Sequence, residues 1–389
     1  MDLDKRRWLQ GLGATAAGLA LPMAWAQPDA AARARTSGRA AADAIWPTKP
    51  VKLLVGFPAG ASPDLAARAV SEPLSQLLRQ PVVVENKPGA SGNVAADLVA
   101  KSTDEHTFGA LINGNLTIAK LLSDKTPFNP ETDFAPVGLI GTAPLVFTLA
   151  GNAQGDNPVD LVHWARSQGA SAVYGSPGNG TVGHLGMELL KTRTGITAKH
   201  QAFNGNPAVI KAMLEGKVQM SLLPPGLVMP HVQAGKLRAV GVTSPEPSPL
   251  VNGMNTLRDA SVRGADLEIW TAMAGPASLP ESIVEKMNAA LVTVIRRPEV
   301  SKRLIEVGWQ AQPGTADALA SRMRKDKDRA YMITAELLLF QHSCHWFCRS
   351  RSVADARLLA RHQTPWRQVV SSVSDETRGD YLALVGRRY

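Results

Sequence analysis

Gly178-x-Gly180-x-x-Gly183 stands between an apolar run, "SAVYGS", and a helix-like one, "TVGHLGMELLKTRTG". This spacing belongs to loops that seat a dinucleotide pyrophosphate at a helix N-terminus. The chemistry on offer is anion binding, from free backbone N–H groups at the positive end of a helix dipole. The glycines would let an anion approach the backbone, and Ser176, Asn179 and Thr181 add side-chain hydrogen-bonding groups. A dinucleotide site also needs an acid about 20 residues on, at the end of the next strand. That strand, "ITAKHQAF", ends in Phe203-Asn204-Gly205-Asn206, with no carboxylate. The loop therefore reads as a site for a smaller anion, phosphate or carboxylate, and no cofactor is expected.

Two further turns have the same character. Pro58-Ala59-Gly60-Ala61-Ser62 follows the apolar run "VKLLVGF" and opens a helix, with Asp64 in its first turn. The turn from Phe203 through Gly205 to Pro207 opens another. All three join a strand to a helix, and α/β sheets bind ligands outside the carboxyl ends of their strands. No G-x-S-x-G elbow, H-E-x-x-H or Walker lysine loop is present, and residues 27–326 contain no Cys. His106, His163, His184, His200 and His231 are scattered, and His184 reads as structural. These absences favour binding without catalysis.

The elements that position these turns alternate regularly. "SPDLAARAVSEPLSQLL" (62–78) has helical spacing with Pro63 in its first turn, "PVVVEN" reads as a strand, "NVAADLVAKS" as a helix and "TFGALIN" as a strand. The pattern resumes from "SAVYGS" through "LRAVGVT". Such alternation predicts an α/β protein with mainly parallel sheets. "PLVFTLAGN" and "LEIWTAMAGPA" are placed to run between two domains. They divide the chain into domain 1 (46–147 and 271–326) and domain 2 (148–270).

The ends differ from this body. Residues 1–26 form an export signal: a charged start with Arg6-Arg7, an apolar stretch too short to span a bilayer, and an Ala24-Trp25-Ala26 cleavage site. Either a general or a twin-arginine export route fits. Residues 27–45 read as a flexible leader. Cleavage would remove three cations and two anions, lowering the net charge from +9 to +8. No basic run interleaved with aromatics is present, so nucleic acid is not an expected partner. Residues 327–389 read as an atypical extension whose deletion would leave binding intact. His342, Cys344, His345 and Cys348 lie closer together than usual zinc spacing, and no metal is expected.

In the order quoted, "WPTKPVKLLVGFPAGASPDLAARAVSEPLSQLLRQPVVVENKPGASGNVAADLVAKS", "YGSPGNGTVGHLGMELLK", "FNGNPAVIKAMLEGKVQ", "PHVQAGKLRAVGVTS" and "WTAMAGPASLPESIVEKMNAAL" resemble the tripartite tricarboxylate transporter substrate-binding proteins, or Bug receptors. The resemblance covers about residues 46–326. It implies a two-domain periplasmic binding protein of type II, with hinged α/β sandwich domains closing over a small carboxylate, an organic acid or acidic amino acid. It implies membrane transporter subunits as partners, a monomer, and no enzymatic activity. It places the ligand at Pro58, Ala59, Gly60, Ala61, Ser62 and Asp64, at Ser176, Gly178, Asn179, Gly180 and Thr181, and at Phe203, Gly205 and Pro207. Leu223-Pro224-Pro225 departs from the family, which commonly has an Asp there; so do "STDEHTF" and the residues after Asp326. Two alternatives stay open: an exported NAD(P)-dependent oxidoreductase, resting on the fingerprint alone, and an orphan receptor signalling to a partner protein.

Overall fold

A computed structural model describes residues 46–347, with side chains to residue 337. The export segment, the leader and Cys348 lie outside the described residues, as do the side chains of His342, Cys344 and His345.

The chain opens with β1 (Val51–Val55), α1 (Ser62–Leu78), β2 (Val82–Asn86), α2 (Asn93–Ala100) and β3 (Thr107–Ile112). A π-helical turn, Gly114–Ile118, leads into the short α3 (Ala119–Leu122) and then β4 (Phe134–Pro144). Next come β5 (Val146–Ala150), α4 (Pro158–Ser167), β6 (Val173–Ser176), α5 (Val182–Thr194) and β7 (Lys199–Ala202). They are followed by α6 (Asn206–Leu214), β8 (Met220–Leu223), α7 (Pro225–Gln233) and β9 (Leu237–Val242). The chain returns through β10 (Glu268–Pro276), α8 (Glu281–Ile295), α9 (Pro298–Glu306), β11 (Gln310–Ala311) and α10 (Ala316–Phe347).

Two sheets result, ordered β11-β4-β10-β3-β1-β2 and β7-β6-β8-β5-β9. Each sheet with its helices is a lobe. The strand–helix repeats pair in parallel, β1 with β2 and β3, and β6 with β7 and β8. Every pairing of β4, β5 or β10 is antiparallel. The sheets are therefore mixed rather than mainly parallel. Parallel neighbours need a helical crossover, whereas strands arriving from the other lobe have no such connection to satisfy.

Both faces of the first sheet are covered, which explains its continuous apolar strands. Leu53 and Val55 face one core with Val70, Met287 and Trp309, while Leu54 faces another with Val99, Trp270 and Leu319. In the second sheet Phe147, Tyr174 and Leu222 face the core beneath α5, and Val146 and Leu223 face that beneath α6.

A single residue, Leu145, separates β4 from β5, and the chain crosses back between Val242 and Glu268. One buried threonine ties the crossings together. Thr243 Oγ1 accepts from Leu145 N at 2.8 Å and donates to Leu267 O at 2.6 Å.

The boundary expected at residues 326/327 falls inside α10. Leu319 and Met323 pack on the first lobe, Ala330 joins the core of the second, and Arg193 holds Glu336 through two contacts of 2.5 and 2.9 Å. Residues 327–337 are thus integral to the packing, contrary to the reading of them as dispensable. The apolar positions at 319, 323, 330 and 333 lie on one helical face, a spacing overshadowed in the sequence by the dense charges between them.

Candidate functional site

The turn after β1 is fixed by a buried carboxylate. Asp64 is 1% exposed. Its oxygens accept from Gly60 N at 2.9 Å, from Arg68 Nε at 3.0 Å and from Asn86 Nδ2 at 2.8 Å. Burial pushes its pKa up, but these hydrogen bonds outweigh burial and leave it below its ordinary value. Asn86 Nδ2 also reaches Phe57 O at 2.9 Å. Asp64 therefore spends its acceptors shaping the loop. Gly60, at φ +80°, supplies the left-handed turn that lets its N–H meet that carboxylate.

The turn after β6 is equally self-contained. Ser176 Oγ accepts from Gly178 N at 3.3 Å, Thr181 Oγ1 donates to Gly178 O at 2.8 Å, and Gly180 N donates to His184 Nδ1 at 3.2 Å. Thr181 is the N-cap of α5 and accepts from His184 N. The third turn is stitched to the second, since Phe203 N donates to Ser176 O and Gly205 N to Pro177 O.

These turns bring three helix N-termini, those of α1, α5 and α6, around one partly open space of about 50 Å³ between the lobes. In each first turn the leading N–H groups have no partner within the helix. Ser62, 2% exposed, is among the residues that line this cavity, and its buried Oγ has no hydrogen-bond partner. Trp309 Nε1 donates to Ser62 O at 2.9 Å and pins that turn from behind. An unpaired buried hydroxyl beside unpaired helix amides forms a donor set suited to an anion.

Of the residues expected at the site, Ala61, Ser62 and Thr181 line the cavity. Pro58, Gly60, Asp64, Ser176, Gly178 and Gly205 shape the turns behind it. Phe203 packs against the core under α6, and Ala59, Asn179 and Pro207 are exposed at the rim. Asn179 and Gly180 face a separate open groove of about 540 Å³. Phe57, Asn113, Val182, Pro224 and Trp309 also line the space between the lobes, outside the turns that the sequence singled out. For Val182 the signal was available, because it follows directly on the Thr181 cap, while Gly183 belongs to the Gly-x-Gly-x-x-Gly loop and Asn206 to the turn after Phe203.

The glycines have a use beyond ligand access. A Cβ on Gly178 would stand 2.4 Å from Ser91 Oγ of the first lobe, and one on Gly205 would meet Pro58 Cδ at 3.3 Å. In this arrangement the opposite lobe itself comes up against these backbones.

His184 and His200 stack at 4.1 Å beside Tyr174, Glu188 and Lys191. Burial, with His184 next to it, pushes His200 down to about 4, and burial lowers His184 as well. Ser176 Oγ lies 2.7 Å from His200 Nε2, a Ser–His contact that the sequence did not announce. Ser176 is fully buried and His200 half-buried, and their contact braces the turn. Among the described residues no group of three His, Cys, Asp or Glu is placed to hold a metal.

A family model described as the tripartite tricarboxylate transporter family receptor matches residues 66–338. The chain belongs to this receptor family. It is similar to protein BugT of Bordetella pertussis, 27% identical over 69% of this chain and 82% of that one. A Rhodopseudomonas palustris protein solved with adipate superimposes with a TM-score of 0.72 and 27% identity, covering 75% of this chain and 98% of that one. MatC of the same organism, solved with bound malate, gives 0.70 and 26%, covering 74% and 99%. The receptor thus has the hinged two-lobe α/β architecture of periplasmic binding proteins of type II. No helix of the described residues is long and apolar enough to cross a membrane.

Proposed function

We propose that this receptor captures a small carboxylate by closing its lobes on it, and delivers it to the membrane subunits of a tripartite tricarboxylate transporter. The observation that carries this reading is Ser62 Oγ, buried and unpartnered where three helix N-termini converge. An anion there would complete the donors without any cationic side chain. The carboxylates bound by its relatives, adipate and malate, fit the same chemistry. Ala61, Ser62, Thr181, Val182, Gly183 and Asn206 are the proposed contacts, with Pro58, Gly60, Asp64, Ser176, Gly178, Gly205 and Pro207 holding the turns. The lobes, divided at Leu145 between β4 and β5 and again between Val242 and Glu268, hinge where Thr243 joins Leu145 and Leu267. The protein works as a binding monomer rather than an enzyme, exported to the periplasm by residues 1–26.

Thermal-shift screening of the purified protein against organic acids tests this directly, because a ligand that binds only the folded state raises Tm. Carboxylates should raise it. A well-folded protein whose Tm no carboxylate moves would overturn the proposal.

A further inference from the structure

One imidazole ties down the turn that leads into α5. Thr181 is the N-cap of that helix, and His184 stands three residues on, where a Glu or Gln side chain commonly closes a capping box. His184 N donates to Thr181 Oγ1 at 3.4 Å, and His184 Nδ1 reaches back to accept from Gly180 N at 3.2 Å. That N–H lies one residue before the usual donor of such a box. Gly180, at φ +74°, directly precedes Thr181 and Val182, which line the space between the lobes. Thr181 Oγ1 in turn donates to Gly178 O at 2.8 Å. The ring thus fixes the turn from Gly178 to Val182 from its helix side.

Nδ1 can accept only while it carries no proton, so the bond to Gly180 requires a neutral ring protonated at Nε2. Resting on the carboxylate reading above, we infer that His184 is a positioning residue for ligand capture, which holds the turn when neutral and releases it when protonated. A second proton would set Nδ1–H against Gly180 N–H and place a cation in the first turn of a helix, where the dipole opposes it. His200 of β7 stacks on the ring at 4.1 Å and Tyr174 of β6 at 6.5 Å. On α5 itself Glu188 favours the charged ring and Lys191 opposes it. Glu188 is already engaged by Tyr174 Oη and Lys191 Nζ, and burial of the ring outweighs it, holding His184 below its ordinary value of 6.5. A bound anion would attract an imidazolium through space, but it is held by the turn that the lost hydrogen bond loosens. Affinity is therefore full near neutral pH and falls as the pH drops through the His184 titration.

Calorimetric titration of malate and adipate into the full-length protein and its His184→Leu, His184→Gln and His200→Gln variants, from pH 7 to pH 4, tests this. At pH 7 His184→Leu should lose about fivefold in affinity or more, the worth of one ordinary hydrogen bond. His184→Gln should recover most of that loss, because glutamine offers an acceptor at the same helical position. Protonation of the ligand in acid acts alike on every variant. Wild type and His200→Gln should therefore lose about fivefold more affinity than His184→Gln as the pH falls. Parallel profiles for wild type and His184→Gln, or relatively tighter wild-type binding in acid, would overturn the inference while the carboxylate reading stands. The Gly180 amide resonance of the ligand-free protein gives a readout that needs no ligand. It should move as His184 titrates and lose that movement in His184→Gln. An amide that does not follow His184 overturns the inference, whereas a folded protein that binds neither acid, and whose Tm no organic acid raises, overturns the carboxylate reading.

Discussion

Gly178 of the second lobe and Ser91 of the first meet so closely that one added carbon would lie 2.4 Å from the serine hydroxyl. Gly178 also has φ +145°, a backbone conformation that side-chain-bearing residues rarely adopt. The loop that resembles a cofactor cradle is here a lobe-to-lobe contact.

Gly178→Ala should therefore hold the lobes apart. Ligand affinity is expected to fall about tenfold or more, and small-angle scattering should report a more open average shape. Ser91→Gly in the same chain removes the steric part and should restore a portion of the affinity. The double-mutant cycle measures that portion, and additive effects would rule the contact out as the cause.

Ser62→Ala separates binding from folding. The hydroxyl has no partner, so its removal should leave Tm of the free protein unchanged or slightly higher. A hydroxyl that hydrogen-bonds an anion is worth about 1.5–3 kcal/mol, so affinity should fall by about tenfold to a hundredfold. Calorimetry and thermal melting on one sample provide both readouts.

His200 gives the fold a pH dependence with a definite sign. The folded chain keeps it neutral down to about pH 4, whereas an unfolded chain protonates it near its ordinary value of 6.5. Between those values the unfolded chain binds more protons, so stability falls as pH drops through the window and is fully present above it. His200→Gln should flatten part of that fall in melting curves recorded from pH 7 to pH 4. His184, also lowered by burial, adds to the fall, as do the carboxylates of Asp64 and Glu188, which hydrogen bonds hold below their ordinary values.

Truncation after Asp326 should destabilise the protein rather than leave it intact. It removes buried Ala330 and Met332 and leaves Arg193, whose Nε already lacks a partner, without Glu336. Loss of the ion pair at a nearly buried arginine and of two core contacts should together cost several kcal/mol, of the order of 3–5. Glu336→Gln isolates the ion-pair share in chemical denaturation.

Much of this architecture was legible in the sequence where local signals agreed. The helix over 62–78 is found over the same span, with Ala61 at its N-cap and Ser62 already inside it, because apolar spacing and Pro63 point to one region for its start. Gly195 closes α5 in the left-handed conformation, as a terminal glycine should. The π turn at 114–118 had no such agreement, and neither did the antiparallel pairing of β4, β5 and β10. Those features depend on how the chain crosses between lobes, which no local pattern encodes. The same holds for the site. That three turns would present amides was readable, but that Asp64 would turn inward to Gly60 while Ser62 stayed unpartnered was settled by Arg68, Asn86 and Trp309. Trp309 lies 247 residues from the serine whose carbonyl it holds.

A crystal structure of the protein with the carboxylate it retains tests the central claim most directly. The carboxylate oxygens should lie within hydrogen-bond distance of Ser62 Oγ and of the first-turn amides of α1 and α5, with the lobes closed over them. A ligand seated in the open groove beside Asn179 and Gly180, with Ser62 Oγ still unpartnered, would contradict it.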